Sequence, residues 1–134
     1  MTRVLVPAAV GDVLDRITIL ALKAERLRAP KARAAAGAEQ AELEAALTEA
    51  GVDLSQLHDL ANALAATNTT LWDLEEAMRT AHNTQDDAQI ASLSRAIVAG
   101  NAERSRLKAE INAATGSALQ ELKDYASGTG DQPL

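Results

Sequence analysis

Leu57, Leu60, Leu64, Thr67, Leu71, Leu74, Met78 and Ala81 recur in alternating steps of three and four residues. The polar run His82-Asn83-Thr84-Gln85-Asp86-Asp87 interrupts them, and Ile90, Leu93, Ile97, Gly100, Arg104, Leu107, Ile111 and Ala114 then resume the same steps. Such steps keep side chains on one face of an α-helix, and sustained over several heptads they mark a packing seam. Two long helices joined by a short polar turn bury both seams by folding back on each other, so the stretch predicts an antiparallel helical hairpin. At the usual helical rise each arm would be about 40 Å long. With the turn centred near Thr84, Thr67 and Asn68 are expected opposite Gly100 and Asn101, and Arg104 opposite Leu64.

Upstream, Val10, Val13, Ile17, Leu20, Ala24 and Leu27 share one helical face, which Leu14, Ile19, Ala21 and Leu22 widen. A helix apolar over so much of its circumference belongs in the middle of a bundle. It is expected from about Val10 to Arg28, after a short extended lead-in over Arg3 to Val6, and Ala29-Pro30 ends it. The Ala-rich stretch from Lys31 to Ala50 has Leu43 and Leu47 as its only large apolar residues, which marks an outer helix stopped by Gly51 at a left-handed cap. Asp53 with Gln56 reads as a capping box for the third helix. Thr115-Gly116 closes the fourth, and Ser117 with Gln120 opens a short final helix to about Tyr125. The expected fold class is therefore all-α: a bundle of four main helices, a long antiparallel hairpin and a short C-terminal helix. One domain covers residues 1–126, and the Ser, Gly, Thr, Asp and Pro of residues 127–134 form a disordered tail.

Composition narrows the functional classes. The chain has 134 residues, a net charge of −6, no Cys, one Trp, one Tyr and no Phe. The acidic balance argues against a nucleic-acid partner, whose phosphates require clustered positive charge, and two aromatics offer no platform for stacked bases. Without Cys there is no disulfide and no thiolate nucleophile, which suits a cytoplasmic location. No run of about 20 apolar residues exists, so no membrane span is expected. His58 and His82 stand apart from other ligands, so neither a metal nor another cofactor is expected. No phosphate-binding glycine loop or Ser-His-Asp arrangement can be assembled.

Chemistry could reside where the seam is faulty. Thr67, Gly100 and Arg104 occupy positions that elsewhere hold Leu, Ile or Met. A buried Arg needs a carboxylate or an anionic ligand, because an unpaired buried charge costs several kcal/mol. Asp12 and Asp15 of the first helix are candidate partners. Asn101, Arg104, Lys108 and Asn112 share one face of the fourth helix, and Trp72, Glu75, Glu76 and Arg79 share one of the third. Trp72 is expected to pack on the first helix, since a lone Trp is usually well buried. One reading makes this layer structural, fixing register in a Leu-rich bundle. The other makes the gap at Gly100 a pocket for a small anion, with Asp15, Arg16, Asn68, Trp72, Glu75, Arg79, Asn101, Arg104 and Lys108 as candidate ligand-binding residues.

The strings Gly11-Asp12-Val13-Leu14-Asp15-Arg16-Ile17-Thr18-Ile19-Leu20 and Leu71-Trp72-Asp73-Leu74-Glu75-Glu76-Ala77-Met78-Arg79 resemble a family of short bacterial helical proteins catalogued as a domain of unknown function. Asn101, Arg104, Leu107, Lys108, Ile111 and Asn112 extend the resemblance, as do Gly116, Ser117, Glu121, Lys123 and Tyr125. Ala8-Ala9 stands where a Ser is common before the glycine. The resemblance implies an accessory role near cell-surface polysaccharide synthesis and carries no established activity. Two partners are therefore in view. An interaction module would dock on a protein or on a second copy of itself. A ligand-binding protein or enzyme would hold a small anion between the first, third and fourth helices.

Overall fold

A computed structural model describes residues 2–117. Its elements are α1 (Val10–Arg26), α2 (Pro30–Glu49), a single 3-10 turn over Leu54–Leu57, α3 (His58–Asn83) and α4 (Asp87–Thr115). There is no strand among the described residues, and the chain is an all-α bundle with the expected long hairpin. The short helix expected after Ser117 and the tail over residues 127–134 lie outside the described residues. No described helix is long and apolar enough to cross a membrane.

α1 lies in the middle, as its broad apolar face requires. It packs on α2, α3 and α4, and Leu14 and Ile17 join Leu47, Leu57, Leu64, Leu107 and Ile111 in the core. Leu64 and Ile111 are completely buried, and each such side chain contributes about 1.5–3 kcal/mol on leaving water. α2 buries only Ala36 and Leu47 and is the outer helix its composition predicts. Gly51 adopts a positive φ of 82° after it, a conformation glycine reaches without steric cost.

Three local expectations are corrected. α1 stops at Arg26 because Leu27 is already extended, and Arg33 locks the connection by donating to the Leu27 carbonyl at 2.7 Å and the Arg28 carbonyl at 2.9 Å. Asp53 does not open α3 with Gln56. Its carboxylate accepts from the Ser55 amide and hydroxyl, which tightens Leu54–Leu57 into the 3-10 turn and delays α3 to His58. In the hairpin, Gly100 meets Leu71 instead of Thr67 and Asn68, a displacement of about one helical turn. The connection is centred on Gln85, beyond Thr84, and Asp86 caps α4 through the Gln89 amide at 3.0 Å. Leu64 and Leu107 both lie in the core, and Arg104 reaches Asp15 of α1.

Candidate functional site

The first turns of α1 place Gly11, Asp12 and Asp15 toward α4, whose Asn112, Lys108 and Arg104 descend in helical steps of four to meet them. Ala9, the residue before α1, has no side chain able to cap it. The Gly11 amide instead donates to Asn112 Oδ1 at 2.7 Å in a buried contact, and the Val10 amide donates to Ser117 Oγ at 3.4 Å. Two of the unpaired amides that every helix N-terminus carries are thus satisfied from about a hundred residues away. One turn further, Lys108 Nζ lies 2.9 Å from Asp12 Oδ1.

At the next level Asp15 is 5 % exposed. Arg104 grips it with both prongs, Nε to Oδ1 at 2.8 Å and Nη2 to Oδ2 at 2.5 Å. Asn68 of α3 donates its amide to the same Oδ1 at 2.9 Å and to Thr18 Oγ1 at 2.7 Å. Thr18 in turn donates to the Asp15 carbonyl at 2.7 Å. One carboxylate therefore ties α1, α3 and α4 together. Among the described residues no buried side-chain nitrogen or oxygen lacks a partner.

Burial pushes the Asp15 carboxyl up, but the Arg104 and Asn68 hydrogen bonds and the nearby charges of Arg104 and Lys108 outweigh it. They hold the group below its ordinary 3.8. A carboxyl whose pKa is lower in the folded state stabilises the fold fully above the unfolded value, and that stabilisation is lost as pH falls through the folded one. Urea denaturation at about pH 6 and about pH 3 should therefore show a loss of stability that is smaller in Asp15→Asn, which lacks the titrating group. An equal loss in both proteins would mean that Asp15 carries no share of it.

The nine residues expected at the site separate into groups. Asp15, Asn68, Arg104 and Lys108 come together in the clasp. Arg16 points elsewhere on α1 and pairs with Glu39 of α2. Glu75, Arg79 and Asn101 are exposed. Trp72, expected to be buried, is only half-buried, and its indole N–H donates to Glu76 Oε1 at 3.1 Å. The gap expected over Gly100 is filled: a Cβ built there would lie 2.6 Å from Leu71 Cδ2. A cavity of about 230 Å³ does occur between the α2–α3 connection and the end of α4, lined by Gly51, Val52, Asp53, Gln56, Ala114 and Thr115 among others. None of the expected site residues lines it. No group of three or more His, Cys, Asp or Glu among the described residues could hold a metal ion.

A family model matches residues 4–132, nearly the whole chain. The chain belongs to DUF6165, a family of unknown function. No curated protein and no solved structure matches it. The DUF6165 match spans all three segments of the clasp, from Asp12 and Asp15 through Asn68 to Arg104, Lys108 and Asn112.

Spacing offers Asp12 or Asp15 as the partner of Arg104, of which the structure pairs Asp15, but it gives no sign of the roles of Asn112 and Thr18. The available signal for Asn112 was the uncapped start of α1, where Ala8-Ala9 precedes Val10 with no acceptor side chain. A helix that lacks its own cap must find acceptors elsewhere or leave amides unpaired.

Proposed function

We propose that this DUF6165 chain is a helical interaction module without a catalytic centre of its own, and that its conspicuous polar layer is a structural clasp. The observation that supports this reading is the state of the Asp15 carboxylate. It accepts three side-chain hydrogen bonds from within the bundle, two from Arg104 and one from Asn68. A general acid or base needs a lone pair or proton directed at a substrate, and an anion site needs a cation that is not already neutralised. Here the two cations nearest the layer face Asp15 and Asp12. The setting, an accessory role beside cell-envelope glycan synthesis, rests on the sequence resemblance alone.

The test is a thermal-shift screen against nucleotide sugars, sugar phosphates, nucleotides and dicarboxylates. A ligand at about a hundred times its dissociation constant adds about 2.7 kcal/mol, which moves the midpoint of a domain this size by several degrees. The expected result is no shift for any member. A shift in the wild type that vanishes in Arg104→Lys, which keeps the charge and loses the two-pronged geometry, would overturn the reading and restore the anion site.

A further inference from the structure

α1 lies in a groove between α3 and α4, and the lines of side chains that hold it there run on past its end. On α3 the line that carries Asn68 to Asp15 continues in steps of four and three to Trp72, Glu75 and Arg79. On α4 the line of Asn112, Lys108 and Arg104 continues to Asn101, Ile97 and Ile90. α1 ends at Arg26, which is tied to Asp73 at 2.7 Å, while α3 goes on to Asn83. Ile90, Ile97 and Trp72 are half-buried there, whereas Glu75, Arg79 and Asn101 are exposed. The groove that seats an amphipathic helix at the base of the hairpin thus stays open toward its tip.

We propose that a second copy of this chain covers that open end, the two hairpin tips lying side by side and antiparallel about a two-fold axis. This rests on the interaction-module reading above. The rim of α3 favours a copy of itself because its charges are self-complementary. Glu75 and Arg79 are one turn apart, so an antiparallel α3–α3 contact centred near Ala77 sets Arg79 of each copy against Glu75 of the other. A two-fold contact makes each such pair twice. The apolar floor supplies area while the paired charges set the register, the usual division of labour at an interface.

Sedimentation over a range of protein concentrations tests the proposal. The wild type is expected to pass from monomer to dimer. Arg79→Glu and Glu75→Arg each place like charges together at both symmetric positions and should weaken the dimer at least about tenfold. The double variant Glu75→Arg with Arg79→Glu restores opposite charges and should return wild-type association. All three should keep the wild-type thermal midpoint by circular dichroism at a dilution where the wild type is monomeric, since both residues are exposed. A wild type that stays monomeric throughout, or a dimer that the single variants leave intact or the double variant fails to rescue, overturns the proposal. None of these outcomes touches the ligand screen, on which the interaction-module reading stands or falls separately.

Discussion

Arg104→Ala is expected to lower the unfolding free energy by about 3 kcal/mol, the larger part of it from Asp15 left buried, charged and ill-partnered. The side chain of Asp15 is 7 % exposed and that of Arg104 is 32 % exposed. Water can therefore reach the guanidinium side, which puts the loss at the low end of the range for breaking a buried pair. Asn68 would still donate one hydrogen bond, so the carboxylate would not be wholly abandoned. Arg104→Lys should cost less, because it keeps the charge while losing the bidentate grip. The informative control is the joint replacement Asp15→Leu with Arg104→Met, which removes both charges together. It should recover part of the loss, since replacing an ion pair by apolar side chains costs little in itself, while buried Asn68 loses its Asp15 acceptor and keeps Thr18. Urea denaturation of the four proteins measures the series. A loss below about 0.5 kcal/mol in Arg104→Ala would show the pair to be no more than a surface contact.

Gly11→Ala carries the second large effect, and its sign reverses the usual helix rule. Alanine in place of glycine inside a helix ordinarily adds about 1 kcal/mol. At Gly11 a Cβ would sit 2.5 Å from the Lys108 carbonyl oxygen and 2.8 Å from Asn112 Oδ1. The first of these is backbone and cannot swing away, so α1 must move off α4. That movement stretches the Gly11–Asn112 hydrogen bond and the Asp12–Lys108 and Asp15–Arg104 pairs at once. A net loss of about 2–3 kcal/mol is expected from overpacking together with the weakened cap. Gly37 provides the contrast within the same protein. Nothing lies within 4 Å of a Cβ built there, so Gly37→Ala should raise stability by up to about 1 kcal/mol. Thermal or urea unfolding of both variants reads the difference. Stabilisation in Gly11→Ala would mean that the two helices do not approach as closely as the geometry requires.

Both effects depend on the layer where sequence and structure part company. The existence of the helices, the outer position of α2 and the hairpin were legible because they follow from periodicity and composition, which a single chain displays directly. Leu64, Leu71, Leu93, Leu107 and Ile111 sit on a seam that the three-and-four spacing traces without any knowledge of neighbours. The need of Arg104 for Asp15 or Asp12 was legible too, because an unpaired charge in a core is too costly to persist. Pairing of Arg104 with Asp15, and of Lys108 with Asp12, meets that need.

The register of the hairpin was not legible. It depends on where the turn is centred, and the polar run from His82 to Asp87 offers several centres of similar local preference. Packing chose the one that seats Leu71 over Gly100 and puts Leu64 and Leu107 in the same core. With that choice the expected pocket is filled by Leu71. The capping of α1 by Asn112 was equally hidden, because its partners are 101 residues apart and no local pattern links them. By itself, then, the sequence determined which segments are helical, which faces are apolar and which charge requires a partner, since these are properties of short stretches of chain. Only the tertiary structure decided the helix register, the closure of the Gly100 gap and the use of Asn112 as a distant cap. Each of those is settled by steric fit and hydrogen-bond geometry between segments that meet only when the bundle has closed.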